Sequence, residues 1–267
     1  MPQGRPGFSP MQPFGVSLLV DGAVEMSPGL RSWPLIDSGS VRVGTVHGAL
    51  LNGWAGPGID VADDAVRADF PIHSIGDFEE RLFPGLSGLF VIVTGAPLPR
   101  RLYVDSGAQI PMVWCTRTGR AGSSPTRILS PEEQRDRFDR ARWHRLVERE
   151  GHGWISGTLT AYQDVRRLLP GHWLDLDRLE TGRFWPREDR LGPPLGLEEG
   201  AAQVAGALKG MVEAVVRQYR TAISITAGFD SRMLVAASRD VCADAEYYTV
   251  PISAVDAWQA PRIARRS

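Results

Sequence analysis

Short apolar runs separated by turns dominate the chain over residues 15–185. The runs occupy residues 16–20, 41–46, 89–93, 101–104 and 112–115. Turn dipeptides such as Pro170-Gly171 lie between them, and this pattern is typical of β-strands joined by tight turns. One helix is expected over residues 131–150, because Ser130 can cap it and a proline follows at the tolerated first position. The pattern predicts mainly antiparallel sheet for this region.

A different pattern begins after residues 191–196, which read Leu-Gly-Pro-Pro-Leu-Gly as an inter-domain connection would. Apolar residues then recur at a spacing near 3.6, which predicts an amphipathic helix over residues 197–219. The next predicted elements are a strand at 222–226, a glycine turn, a helix at 230–238 and a strand at 245–250. This order is the opening of a parallel α/β sheet, so we expect one domain over 1–190 and another over 191–267.

Composition excludes several classes of function. The 267 residues include 30 basic and 31 acidic side chains, so no global field attracts nucleic acid or an anionic membrane. No apolar run approaches the roughly 18 residues of a membrane helix, and the first residues lack the order of a signal peptide. We therefore expect a cytoplasmic protein that binds neither nucleic acid nor membrane.

Cysteine and histidine positions give no sign of a metal site. Cys115 and Cys242 lie far apart and outside any disulfide framework or zinc-ligand spacing. The five histidines never come within metal-ligand spacing of one another, which favours scattered turn or surface positions. They are His47, His73, His144, His152 and His172.

The segment 222–234 carries the clearest chemical signal. A predicted buried strand leads into a turn of small residues, Thr226-Ala227-Gly228, and a helix follows. The backbone N–H groups of such a turn and the positive end of the helix dipole face one point, which favours a bound phosphate. Thr226 and Ser231 add hydroxyl groups, and Gly228 lets the backbone approach a ligand closely. We expect the loop amides to face an open cleft.

Asp230 places a carboxylate beside this phosphate site. A magnesium ion between the carboxylate and the phosphate would make the arrangement favourable. Asp230 could instead be the N-cap of the helix, since aspartate is a favoured N-cap residue after a glycine turn. Both interpretations stay open at the level of sequence.

The residues Thr226-Ala227-Gly228-Phe229-Asp230-Ser231 resemble the Ser-Gly-Gly-x-Asp-Ser pyrophosphate loop of the ATP pyrophosphatases. This group contains asparagine synthetase, β-lactam synthetase and the lasso-peptide cyclases, and the variant here resembles the asparagine-synthase-related branch. The resemblance implies that the loop binds ATP with Mg²⁺ while a substrate carboxylate is adenylated and pyrophosphate is released. An amine or ammonia would then attack the acyl-adenylate, releasing AMP and giving an amide.

The surrounding sequence agrees with this resemblance. The segment 247–250 falls where the family has its second strand, and 256–264 resembles the following helix with the pattern Asp, three residues, Ala. By resemblance, Ile225 and Val250 would flank the adenine ring. Both could equally be core residues of their strands.

The β-rich half resembles the glutaminase-like domain of the same family. Leu86-Ser87-Gly88-Leu89-Phe90 is similar to its Leu-x-Gly-x-Phe strand, and residues 104–112 are similar to its hairpin. Residues 168–171 and 184–185 are similar to the elements that lead to the synthetase domain. The resemblance implies an α+β sandwich of the Ntn-glutaminase type, followed by the beginning of an α/β parallel-sheet, nucleotide-binding domain of the ATP pyrophosphatase type.

Two features depart from the family pattern. The glutamine-hydrolysing members use an N-terminal cysteine as nucleophile, whereas this sequence begins Met1-Pro2, so we expect no glutaminase activity. Asp105 is then expected to be a hairpin-turn residue and not a ligand of the glutamine ammonium group. Only two strands follow the connection, although a nucleotide-binding sheet needs about five.

These features leave two functions open. The first is an amide-forming ligase of the asparagine-synthetase type that uses ATP, an unidentified carboxylate acceptor and an unidentified amine donor. Its second domain is expected to be incomplete here, as a fragment, as a truncated gene product or as a half that a second chain completes. The alternative is an inactive or truncated paralogue that acts as a binding or scaffold protein. In the first, Ile225, Thr226, Ala227, Gly228, Phe229, Asp230, Ser231 and Val250 contact ATP, and Asp230 holds Mg²⁺.

Overall fold

The computed structural model describes residues 16–18, 24–28, 30–148, 155–187, 192–250 and 254–264. The strands are β1 Val16–Leu18, β2 Val24–Met26, β3 Arg31–Ile36, β4 Arg42–Leu50, β5 Ile59–Val61, β6 Val66–Ala68, β7 Gly88–Thr94, β8 Arg101–Val104, β9 Val113–Cys115, β10 Ala121–Gly122, β11 Val165–Arg167, β12 His172–Asp175, β13 Thr181–Arg183, β14 Thr221–Ser224 and β15 Ala245–Tyr248. The α-helices are α1 Ile75–Asp77, α2 Pro125–Ile128, α3 Pro131–Arg137, α4 Arg140–Trp143, α5 Leu197–Gln218, α6 Phe229–Ala237 and α7 Ala254–Ala264. Other helical turns are Phe78–Leu82, Phe83–Gly85, His144–Glu148 and Arg239–Asp244.

The protein is a mixed α+β structure with one large mixed sheet. Eight strands lie in the order β13-β12-β8-β7-β4-β3-β6-β5, and five more in the order β11-β9-β10-β1-β2. Every pairing in these two sheets is antiparallel except that of β3 with β6. The prediction of mainly antiparallel sheet is confirmed. Among the described helices, none has the length and apolar character to cross a membrane.

Side chains cover both faces of the eight-stranded sheet. Because successive residues of a strand point to opposite faces, Phe90 and Ile92 of β7 join a cluster with Phe78 and Tyr103, under the helical turns that follow α1. Val91, between them, joins a second cluster shared with the five-stranded sheet. The two sheets therefore pack face to face, and the middle strands have no exposed face.

The helix expected over residues 131–150 is broken. It begins as expected, with a capping box between Ser130 and Glu133, but α3 ends at Arg137. Phe138 then forms a β-bridge with Tyr162, and the Asp139 amide donates to the Ala161 carbonyl at 2.8 Å. These bonds use backbone groups that a continuous helix would need, so tertiary pairing overrides the local pattern. Residues 149–150 lie outside the described residues, as do residues 19–20 of the first predicted strand.

The second part of the chain has the predicted order of helix, strand, loop, helix and strand. Helix α5 ends one residue before the predicted 219, and β14 pairs with β15 in parallel. Ile223 and Ile225 pack with Val235 of α6 and Ala260 of α7 in a small core. The opening of a parallel α/β sheet is confirmed for this part of the chain.

Helix α5 contacts the first part of the chain at its C-terminal end. The Gln218 side-chain amide donates to the Leu50 carbonyl at 2.7 Å and accepts from the Asn52 amide at 2.9 Å. Earlier in the same helix, the Trp54 ring packs directly on Gly210, where a Cβ atom would overlap the ring. The helix is therefore held against the end of β4.

Asp105 holds a turn together from inside. Its carboxylate is buried and accepts from the amides of Gly107, Gln109 and Ile110, and from that of Phe90 on β7. The expected role as a turn residue is confirmed. Four amides share one carboxylate here, which ties the turn after β8 to β7. The expected hairpin is wrong, because β8 and the next strand, β9, belong to different sheets.

Asp105→Ala should destabilise the fold by about 3 kcal/mol, because it leaves buried N–H groups without an acceptor. Asp63→Ala is the matched control, since Asp63 is 86% exposed and pairs only across the surface with Arg31. Denaturant titrations followed by circular dichroism compare the two midpoints. Equal midpoints would show that the Asp105 carboxylate does not hold the turn.

His47 lies in the middle of β4 and is buried, so the expected surface or turn position is wrong for this histidine. Its Nδ1 lies 2.8 Å from the Ser32 hydroxyl on β3. Burial lowers the pKa of His47 from its ordinary 6.5 to about 4, and the charge of Arg42 adds to the shift. The imidazole is therefore neutral at neutral pH.

Folding stability should fall as the pH drops from 6.5 to about 4, because the unfolded chain takes up a proton that folded His47 excludes. The shift corresponds to about 3 kcal/mol that is present above pH 6.5 and lost below about pH 4. Denaturant titrations of the wild type and His47→Gln across this range isolate the effect, because glutamine does not titrate. Parallel losses in the two proteins would contradict a buried neutral imidazole.

Candidate functional site

The predicted phosphate loop joins β14 to α6. The Ile225 amide donates to the Tyr248 carbonyl at 2.8 Å, which extends the parallel pairing one residue beyond β14. The backbone of Gly228 is extended, and α6 begins at Phe229 with Gly228 as its N-cap. The prediction of a strand, a tight loop and a helix is confirmed, with the helix starting one residue earlier than expected.

Thr226 and Ser231 are bonded to each other across the loop. Their hydroxyl oxygens lie 2.8 Å apart, and the Thr226 amide donates to the Ser231 hydroxyl at 3.1 Å. The Gly228 amide donates to the Thr226 hydroxyl at 3.2 Å. Ser231 is also buried. The two hydroxyls that were expected to contact a ligand therefore form hydrogen bonds within the loop.

A carboxylate from α7 reaches into the same loop. The Ala227 amide donates to Asp256 Oδ1 at 2.9 Å, although the two residues lie in different elements. The sequence placed Asp256 in a helix and gave it no role in the loop. The expectation that the loop amides face an open cleft is therefore wrong for Thr226, Ala227 and Gly228, whose amides have partners within the protein.

The first turn of α6 presents the other part of the site. Phe229 and Asp230 are exposed there, and the first N–H groups of a helix have no acceptor within the helix itself. Asp230 is not the N-cap, because Gly228 holds that position. A carboxylate in the first turn still interacts favourably with the helix dipole. Asp230 is thus free of the capping role that the sequence left open.

Arg232 adds a positive charge beside the loop. Its Nε donates to the Gly228 carbonyl at 3.2 Å, and its guanidinium lies 4.5 Å from the centre of the Phe229 ring. Sequence reasoning gave this arginine no role at the site. Its proximity to the helix start was missed, although a cation at the first turn of a helix is itself an unusual placement.

The two residues predicted to flank adenine lie in different surroundings. Ile225 is 3% exposed and belongs to the small core, as the alternative interpretation predicted. Val250 is 56% exposed and lies past the end of β15, so its alternative as a core residue is wrong. Contact of either residue with a base stays a prediction.

Asp230 is the residue that the sequence predicts to hold a metal ion. In the described part of the chain, no three histidine, cysteine or acidic side chains converge to hold a metal ion. No shared ligand set of protein side chains therefore surrounds Asp230 there. A magnesium ion at this carboxylate would take most of its other ligands from phosphate and water, as this ion commonly does.

Comparison with known proteins identifies no relative of this chain, so inferences about its function rest on the geometry of this loop. No protein-family model matches the chain, and no curated protein matches it either. The closed loop, the first turn of α6 and Asp256 are the features from which a function can be inferred.

Asp256→Ala should expose the Ala227 amide and speed its hydrogen exchange by roughly tenfold or more, because a charged acceptor is removed. Asp244→Ala is the matched control. Asp244 is exposed and directly precedes β15, so it lies at the N-terminal end of the two parallel strands, whereas the loop follows the C-terminal end of β14. Amide exchange measured by NMR on both variants tests the contact. Equal protection of Ala227 in the two variants would contradict it.

Proposed function

We propose that the chain belongs to an ATP-dependent, amide-forming ligase of the asparagine-synthetase type, in which the loop 226–231 binds the phosphates of ATP. The observation that carries the proposal is the short loop of small residues between a parallel strand and the start of α6. In such an enzyme ATP activates a substrate carboxylate by adenylation, and an amine donor then forms the amide. The carboxylate acceptor and the amine donor are the unidentified partners of this reaction.

The start of α6 supports binding of an anion. The amides of the first turn and the helix dipole favour negative charge at this point. Arg232 lies beside the same turn, and its guanidinium can pair with a phosphate oxygen. Exposed Phe229 leaves the approach to the turn open to solvent.

Asp256 marks the position that a phosphate oxygen would take. Its carboxylate accepts from the Ala227 amide, as an anionic ligand of the loop would. Binding of ATP at this amide would therefore displace Asp256 or share the contact with it. Asp230, exposed in the first turn of α6, would hold Mg²⁺ against the phosphates.

The finer fold assignment belongs to the same proposal. The two packed sheets would be a glutaminase-like sandwich of the Ntn type, and residues 191–267 would belong to an ATP pyrophosphatase domain. Within the described residues, β14 and β15 pair only with each other. Parallel sheets are normally covered on both faces and contain more strands, so a second chain that adds strands is a proposed partner.

A binding or scaffold role is the competing proposal. One observation favours it, namely that the loop amides of residues 226–228 and the hydroxyls of Thr226 and Ser231 are already bonded within the protein. A loop in this state is stable without a nucleotide. The two proposals differ in what they predict for ATP binding.

Calorimetry with ATP and magnesium should show binding that Asp230→Ala weakens by about 1–3 kcal/mol, because it removes the metal-linked carboxylate. The loss corresponds to roughly 5- to 150-fold in Kd. Asp244→Ala, at the far edge of the sheet, should bind like the wild type. Absence of heat in the wild type, or equal affinity of both variants, would reject the ligase proposal and favour the scaffold.

A further inference from the structure

A cleft lies between the two sheets of the first part of the chain, and its lining residues are distant in sequence from the loop 226–231. Its volume is about 560 Å³, within the range of small-molecule sites. β3, β4 and β7 form one wall, while Val24 of β2 and Leu176 after β12 lie on the other side. The proposed function assigns no role to this cleft.

The wall formed by β3 and β4 is polar where the packing favours apolar residues. Ser32 pairs directly opposite His47, and Thr45 pairs opposite Val93 of β7. These positions point to the face that packs on the five-stranded sheet, because Val93 belongs to the apolar cluster shared by the two sheets. Polar groups at such positions cost stability unless they are bonded or used. Ser32 is bonded to His47, and Thr45 accepts from Arg42, so the polar groups of this wall are paired along the cleft.

The charged side chains lining the cleft are both arginines. Arg42 donates from Nη2 to the Thr45 hydroxyl at 2.6 Å, and from Nε to the Gly44 carbonyl at 3.4 Å. Arg100 lies 3.5 Å from the Asp177 carboxylate, which offsets its charge. The described lining contains no acidic side chain. One guanidinium, that of Arg42, therefore faces the cleft with only neutral oxygens as its hydrogen-bond partners.

His47 adds a neutral donor to the cleft. Its ring is uncharged at neutral pH, so one nitrogen carries a hydrogen and the other accepts. If Ser32 donates to Nδ1 at 2.8 Å, the hydrogen lies on Nε2. Guanidinium and imidazole N–H groups then lie in the cleft beside the hydroxyls of Ser32, Thr45 and Thr94. Such a set suits an acceptor-rich anion and disfavours a cation.

We infer that this cleft binds a small organic anion with a single carboxylate, held by Arg42 and accommodated between Val24, Val93 and Leu176. One uncompensated guanidinium matches one negative charge, and its planar fork matches the two oxygens of a carboxylate. The apolar walls leave room for the hydrocarbon part of the molecule. A phosphate with two charges would find only one uncompensated cation here.

Titration of the isotope-labelled full chain with isobutyrate, followed by amide NMR shifts, tests the inference. We expect shifts around Thr45, His47 and Val93, and affinity for isobutyrate at least about tenfold above that for isobutyramide, which has the same shape without charge. Inorganic phosphate should bind more weakly than isobutyrate. Arg42→Gln should reduce isobutyrate affinity about tenfold or more, and Arg42→Lys by less, because lysine keeps the charge but loses the fork.

Arg67→Gln is the matched control, because Arg67 is an exposed arginine on β6 of the same sheet, outside the cleft. It should bind isobutyrate like the wild type. Equal affinity for isobutyrate and isobutyramide would overturn the inference, as would unchanged affinity in Arg42→Gln. Stronger binding of phosphate, or the absence of shifts at the cleft, would overturn it as well. The nucleotide loop takes no part in this test, so its outcome is independent of ATP binding.

Discussion

The antiparallel pairing of β4 with β7 runs through the middle of the eight-stranded sheet and is covered on both faces. Seven residue pairs join the two strands, from Gly44 opposite Thr94 to Leu50 opposite Gly88. One face is closed by the aromatic cluster around Phe78 and Tyr103, and the other by the five-stranded sheet. Because both layers pack on this pair, each polar residue in it occupies space that apolar packing would otherwise fill. Because of this constraint, His47 and Thr45 are polar side chains at positions where apolar ones would be expected.

The loop 226–231 obeys a different constraint, since the hydroxyls and the first amides in it are bonded within the protein. Thr226 and Ser231 bond to each other, and Asp256 supplies an acceptor from another element. A loop that is complete in itself is held in one conformation before any ligand arrives. Binding of a ligand would then replace hydrogen-bond partners of the loop amides without changing the conformation of the loop. If the loop binds ATP as proposed, the affinity would depend on how well a phosphate oxygen replaces the Asp256 carboxylate at the Ala227 amide.

Sequence reasoning succeeded where the signal is local and failed where it is not. The periodicity of α5, the turn of small residues and the turn role of Asp105 follow from neighbouring residues, and the structure has all three. The break after Arg137 could not be predicted, because it depends on pairing with Tyr162. The contact between Asp256 and Ala227 joins residues 29 positions apart, and nothing in the intervening pattern indicates it. The burial of His47 was missed for the same reason, since spacing along the chain does not report which strand covers a residue.

Gln218 has a consequence for how the two parts of the chain are joined. Its side-chain nitrogen donates to the Leu50 carbonyl and its oxygen accepts from the Asn52 amide, as the next residue of a strand would. The same nitrogen also donates to the Tyr219 hydroxyl. Glutamate has the same shape but would set a carboxylate oxygen against the Leu50 carbonyl. Shorter asparagine would not span both groups from the same backbone position. The position of α5 on the sheet therefore depends on an amide of this length at residue 218, together with the close contact of Trp54 with Gly210.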